Sequence, residues 1–156
     1  MSYQLSAVIG AAELLRGVSR AVPAARAAPL GQGLSLIPMT GALFDAVADG
    51  SAGEALGFWR LPEGFPTRLA DWSTGGPLAY VEAEYFGGVG EQQAVVWDGG
   101  AIVLGPVQVR ECEPFPPAGS PISQALRRLG VVADGVGDEF SAVKLGRHRH
   151  GGQWIA

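Results

Sequence analysis

The stretch from Leu78 to Val107 constrains this chain more than any other. Leu78–Phe86 (LAYVEAEYF) reads as a strand, and side chains repeat every two residues along a strand. Ala79, Val81, Ala83 and Tyr85 therefore share one face, and Leu78, Tyr80, Glu82, Glu84 and Phe86 share the other. Gln92–Trp97 and Ala101–Val107 read as two further strands. Asp98-Gly99-Gly100 between them is a hairpin turn, because glycine supplies the positive φ that tight turns demand. Gly87-Gly88-Val89-Gly90 turns the chain before them. Three consecutive strands joined by short turns predict an antiparallel meander over about 78–107. They argue against a doubly wound parallel sheet, in which strands alternate with helices.

The flanking segments predict helices and shorter strands. Tyr3–Ile9 and Leu34–Met39 read as strands, and Ala24–Ala28 as a weaker one. Ala11–Val22 places Leu14, Leu15, Val18 and Val22 on one helical stripe, and Pro23 limits its extension. Thr40 is an N-cap for a short helix through Ala48. Asp49–Gly57 reads as a flexible connection, and a further helix is expected near Pro66–Trp72. Ser120-Pro121 opens a helix in which Ile122, Ala125, Leu126 and Leu129 keep helical spacing before Gly130. Asp138 can cap one more short helix. There is no internal repeat, so residues 1–156 are expected to form a single α+β domain, a largely antiparallel sheet packed by four or five short helices. One sheet face is expected to pack the helices and the other to meet water or a partner.

Composition excludes several function classes. With 156 residues, 47% of them hydrophobic and 17% charged, the chain can bury a core without a disulfide or a metal. A net charge of −4 argues against nucleic-acid binding, which needs a basic face. Cys112 is the only cysteine and sits between Glu111 and Glu113, whose charges oppose thiolate formation. Glu13 interrupts the apolar N-terminal stretch, and no run approaches the ~18 residues of a membrane span. The expectation is a cytoplasmic protein that engages no membrane.

The candidate chemistry lies in two places. Glu82 and Glu84 share a strand face, and paired carboxylates can serve acid–base catalysis or hold a divalent metal. Tyr80 and Phe86 flank them, and aromatics beside carboxylates resemble a recognition patch. Tyr80, Glu82, Glu84 and Phe86 are therefore the expected binding residues. The second place is the tail, Arg147-His148-Arg149-His150. His148 and His150 could supply two of the ligands a zinc site needs. Arg147 or Arg149 is expected to pair with Glu82 or Glu84 and fix the tail to the sheet. The glycine loop is followed by a strand rather than a helix and lacks the phosphate-loop spacing, so it reads as a hairpin. No nucleophile elbow, zinc-protease helix or paired-cysteine motif occurs. No catalytic residue and no cofactor is assigned.

AYVEAEYFGGVGEQQAVVW, PISQALRRLGV and DEFSAVKLGRHR, with a late tryptophan, resemble a group of small uncharacterised bacterial proteins over about the second half of the chain. The resemblance implies a compact intracellular α+β domain, similar in size and look to immunity proteins of toxin systems, and it assigns no site residue. The expected function is thus a non-enzymatic protein-binding domain, an immunity protein that covers a toxin's active site. Two alternatives stand beside it: a metal- or carboxylate-dependent hydrolase using Glu82, Glu84, His148 and His150, and a homo-oligomeric structural domain. Replacing Glu82 and Glu84 by Ala is expected to leave folding intact while weakening partner capture.

Overall fold

In the computed structural model of the chain, which describes residues 2–48 and 55–155, the meander forms as the turn chemistry predicts. Leu78–Phe86, Val89–Asp98 and Ala101–Val109 are consecutive antiparallel strands. Both connections are two-residue hairpins with positive φ throughout: Gly87 and Gly88 at 60° and 83°, Gly99 and Gly100 at 62° and 90°. That pattern matches the right-handed twist of the flanking strands.

The meander supplies half of a six-stranded antiparallel sheet. In chain order the elements are β1 (Ser2–Ala11), α1 (Ala12–Ala21), β2 (Ala28–Pro29), β3 (Leu34–Pro38), α2 (Gly41–Val47), α3 (Phe65–Trp72), β4 (Leu78–Phe86), β5 (Val89–Asp98), β6 (Ala101–Val109), α4 (Pro121–Arg128) and α5 (Glu139–Ala142). The strand order is β2-β3-β1-β4-β5-β6. The Ala24–Ala28 strand contracts to the two residues of β2, because only there does the chain reach the β3 edge. Most of the expected Asp49–Gly57 connection lies outside the described residues.

The chain's two ends cover opposite faces of the sheet. On one face Val8, Ile37, Leu78, Tyr80, Val95 and Trp97 pack against Leu15 and Val18 of α1, Leu43 and Val47 of α2, and Phe65 and Leu69 of α3. On the other, Leu5, Ala7, Ile9, Val81, Ala94 and Val96 pack against Ile122, Ala125 and Leu126 of α4, then Val143, Leu145 and Trp154. Each fully buried Leu, Ile or Phe contributes about 1.5–3 kcal/mol, so both faces are needed for the core. The expected open face of β4 does not exist over Leu78–Ala83, every residue of which is buried. β6 differs: it is one of the two outer strands and most of its residues are exposed.

Local signals set the helix ends. The side chains of Thr40, Ser120 and Asp138 accept from the N–H groups of Leu43, Ser123 and Ser141 at 3.1, 3.1 and 3.0 Å. At the end of α4 the Gly130 and Val131 N–H groups donate to the Arg127 and Leu126 carbonyls, closing the helix with Gly130 at φ 94°. Arg127 and Glu139 join α4 to α5 at 3.3 Å. Burial opposes ionisation of Glu139, but its own backbone N–H, Arg127 and Ser123 outweigh it and hold the carboxyl below its usual range.

Candidate functional site

Glu82 and Glu84 share a strand face, yet their environments have nothing in common. Glu82 is 0% exposed. Its Oε1 accepts from the Trp59 N–H at 2.6 Å and from Gln93 Nε2 at 2.9 Å. Its Oε2 accepts from the Arg60 N–H and the Tyr80 hydroxyl, both at 2.8 Å. Four donors satisfy a carboxylate that has no cationic partner among the described residues, which is the condition under which such a group tolerates burial. The arrangement extends along one row of cross-strand neighbours: Ser6 on β1, Glu82 on β4, Gln93 on β5 and Gln108 on β6. Gln108 Nε2 donates onward to Gln93 Oε1 at 3.2 Å.

Tyr80 is also fully buried, with its ring edge-on to Phe58 at 5.1 Å. Burial, then the Glu82 charge and hydrogen bond, push its phenol well above the ordinary range, while the Ser6 hydroxyl and the Arg60 charge work the other way. Tyr80 therefore remains a protonated donor. Tyr80 and Glu82 are not surface recognition residues. They position the Phe58–Pro62 loop: the carboxylate holds two successive main-chain N–H groups and so fixes where Trp59 and Arg60 emerge.

Glu84 and Phe86 lie beyond the cover of the N-terminal helices and are exposed, Phe86 by 76%. The register of the hairpin sets Glu84 directly opposite Glu91 and Phe86 opposite Val89. With Trp59 and Glu111 these four line a hollow of about 420 Å³. Three carboxylates thus surround an aromatic-lined depression. Like charges directly opposite each other on a sheet are destabilising, so the fold carries a cost here that an incoming cation would relieve.

The tail does not reach these carboxylates. Among the described residues the sole ion pair is Arg127–Glu139, and neither Arg147 nor Arg149 pairs with Glu82 or Glu84. Arg147 lies over the Trp154 ring at 4.9 Å and donates to the Pro29 carbonyl at 2.5 Å, so it ties the tail to the β2 edge. Arg149 attaches through its main chain, its carbonyl accepting from the Gln4 N–H at 2.7 Å. His148 meets Trp154 edge-on at 4.7 Å. His150 lines a separate hollow of about 350 Å³ with Gln4, Ser6, Thr40 and Arg60. The two imidazoles therefore do not converge, and among the described residues no three His, Cys, Asp or Glu side chains are grouped to hold a metal. Cys112 is exposed.

Sequence reasoning missed Trp59, Gln93, Glu91 and Glu111. Two of these had a signal. A two-residue turn at Gly87-Gly88 forces the pairs Glu84–Glu91 and Glu82–Gln93 by counting outward from it. The arrival of the Trp59 loop beneath Glu82 had none. No helix among the described residues is long and apolar enough to cross a membrane. No family model, curated protein or solved structure matches this chain.

Proposed function

We propose that the chain is a non-enzymatic protein-binding domain, an immunity protein that acts in the cytoplasm by covering the active site of a basic toxin. The observation that carries this reading is the hairpin tip: Glu84, Glu91 and Glu111 around a hollow lined by Trp59, with Phe86 76% and Val89 46% exposed beside it. Apolar anchors of this kind supply most of the energy of an interface, and the surrounding carboxylates accelerate and orient the approach of a cationic partner. The net charge of −4 favours the same partner. The resemblance of the hairpin and tail to small bacterial proteins points in the same direction.

The test uses the intact protein as bait in a lysate of its source cell, beside Phe86→Ser and Glu84→Arg variants. A basic protein retained by wild type and lost by both variants supports the reading, and its inhibition in an activity assay completes it. Equal retention by all three baits removes the hairpin tip from the interface.

Self-association is a second reading, favoured by β6. This outer strand carries no charged residue from Ala101 to Val109, and Ile102 and Val103 are 42% and 38% exposed. The uncharged stretch Ala101–Leu104, ahead of Pro106 and the irregular pairing that blunt the rest of this edge, is the part open to pairing with a second copy. Light scattering over a concentration series distinguishes the two readings, since only self-association makes the mass rise with concentration.

A further inference from the structure

The opposite face of the same hairpin carries a second hollow, distinct from the proposed contact surface. Its volume is about 480 Å³, ordinary for a small-molecule site. Tyr3 and Tyr85, direct neighbours on β1 and β4, line it with Phe140, whose ring meets Tyr3 edge-on at 5.6 Å. Phe115, on the proline-rich loop before α4, also lines it and is 52% exposed.

Two donors in this aromatic hollow have no acceptor among the described residues. The Tyr85 hydroxyl accepts from Gln92 Nε2 at 3.1 Å, which leaves its own proton free. Gln92 is itself fixed, because its Oε1 accepts the Ile122 N–H at the start of α4 at 2.8 Å. The Tyr85 oxygen is thus oriented by a chain of hydrogen bonds that runs from the half-buried phenol to the buried start of α4. The second donor is Arg149, whose guanidinium makes no hydrogen bond or ion pair with any described residue. Its main chain is anchored on both sides, by Gln4 at 2.7 Å and by Gln153 Oε1 at 2.9 Å. Asp138 also lines the hollow, with its Oδ1 turned to the Ser141 N–H at the start of α5 at 3.0 Å, so an anionic group must sit at the Arg149 and Tyr85 side of the hollow.

We propose that this hollow binds a small aromatic carboxylate. The ring lies among Tyr3, Tyr85 and Phe140, where aromatic faces and edges favour a planar apolar guest. The carboxylate takes charge-assisted hydrogen bonds from Arg149 and the proton of Tyr85, the pairing for which a guanidinium is best shaped. A bare anion lacks the ring contacts, and a ring without the anion gains nothing from either donor.

Calorimetric titration of the whole protein with benzoate and phenylacetate tests this. Acetate, benzyl alcohol and phenethylamine serve as probes lacking the ring, the charge, or the sign of the charge. Both aromatic carboxylates are expected to bind at least about tenfold more tightly than any of the three, the scale of a hydrogen bond to a charged group. Arg149→Gln lowers their affinity by about tenfold and Tyr85→Phe by several-fold, while neither changes the response to benzyl alcohol. Saturation by acetate or benzyl alcohol at the same concentrations overturns the proposal. So does undiminished benzoate affinity in the Arg149→Gln protein, or the absence of saturable binding by either carboxylate.

Discussion

Glu82 on β4 and Gln93 on β5 stand directly opposite each other, and the 2.9 Å bond between them is one of four that saturate a fully buried carboxylate. The pair makes Glu82 a structural residue, which reverses the expectation that it could be replaced without consequence for folding. Glu82→Ala leaves the Trp59 and Arg60 N–H groups and the Gln93 amide without this acceptor, and leaves the Tyr80 hydroxyl only the Arg60 carbonyl at 3.1 Å. It is expected to cost about 4 kcal/mol or more, and Glu82→Gln about 2 kcal/mol. Urea denaturation midpoints read both, and an unshifted midpoint for Glu82→Ala would contradict the network.

Alkaline titration follows from the buried phenols. Tyr3, through burial, and Tyr80, through burial and then Glu82, both keep their protons above the ordinary value of 10.0. Above that value the unfolded chain releases protons that the folded chain retains. Stability is therefore full below about pH 10 and falls as pH rises toward the folded-state values. Phenolate absorbance should show Tyr3 and Tyr80 ionising together with loss of the fold rather than before it. Tyr80→Phe should flatten the alkaline decline, and an equally steep decline would assign the effect elsewhere.

The opposition of Glu84 and Glu91 at the hairpin tip predicts a gain from mutation. Glu84→Gln removes a like-charge pair and should stabilise the protein by about 0.2–1 kcal/mol at low salt. The gain should shrink in about 1 M salt, where the screening length is near 3 Å. Thermal melts at two ionic strengths measure this. Destabilisation by Glu84→Gln would mean that these carboxylates serve the fold and are not held for a partner.

Gly90 and Gly88 should differ as sites for alanine. A Cβ on Gly90 would lie 2.6 Å from the Tyr85 Cα and nearer still to the Glu84 carbonyl oxygen, so the hairpin itself must shift. Gly88 has open space but a φ of 83°. Gly88→Ala should cost about 1 kcal/mol, the ordinary penalty of a left-handed residue, and Gly90→Ala more. Equal costs would show that backbone conformation, rather than contact, governs the turn.

The sequence carried whatever a few neighbouring residues decide. Thr40, Ser120 and Asp138 cap their helices because a cap requires only its own turn. The meander was legible for the same reason, from its two glycine turns, although the first turn is only Gly87-Gly88 and the strand after it begins at Val89 rather than Gln92. The fate of the Tyr80 face was not legible, because its cover comes from α1–α3 and the Phe58–Pro62 loop. An alternating strand looks the same whether helices or water lie against it. Nor could charge matching place the tail. Arg147 has a carbonyl and an indole for neighbours, and neither carries the opposite charge that the expectation sought.

The two helical layers also have an order in time. As the chain emerges from the ribosome, all six strands and the layer of α1–α3 come out before Pro121 does. Until residues 121–154 arrive, Leu5, Ala7, Ile9, Val81 and Val96 have no layer to pack against. The nascent protein is then a sheet with one finished face and one adhesive face, the kind of intermediate that chaperones hold and proteases clear. A premature stop in that final segment would therefore produce a persistently half-clad sheet rather than a smaller working domain.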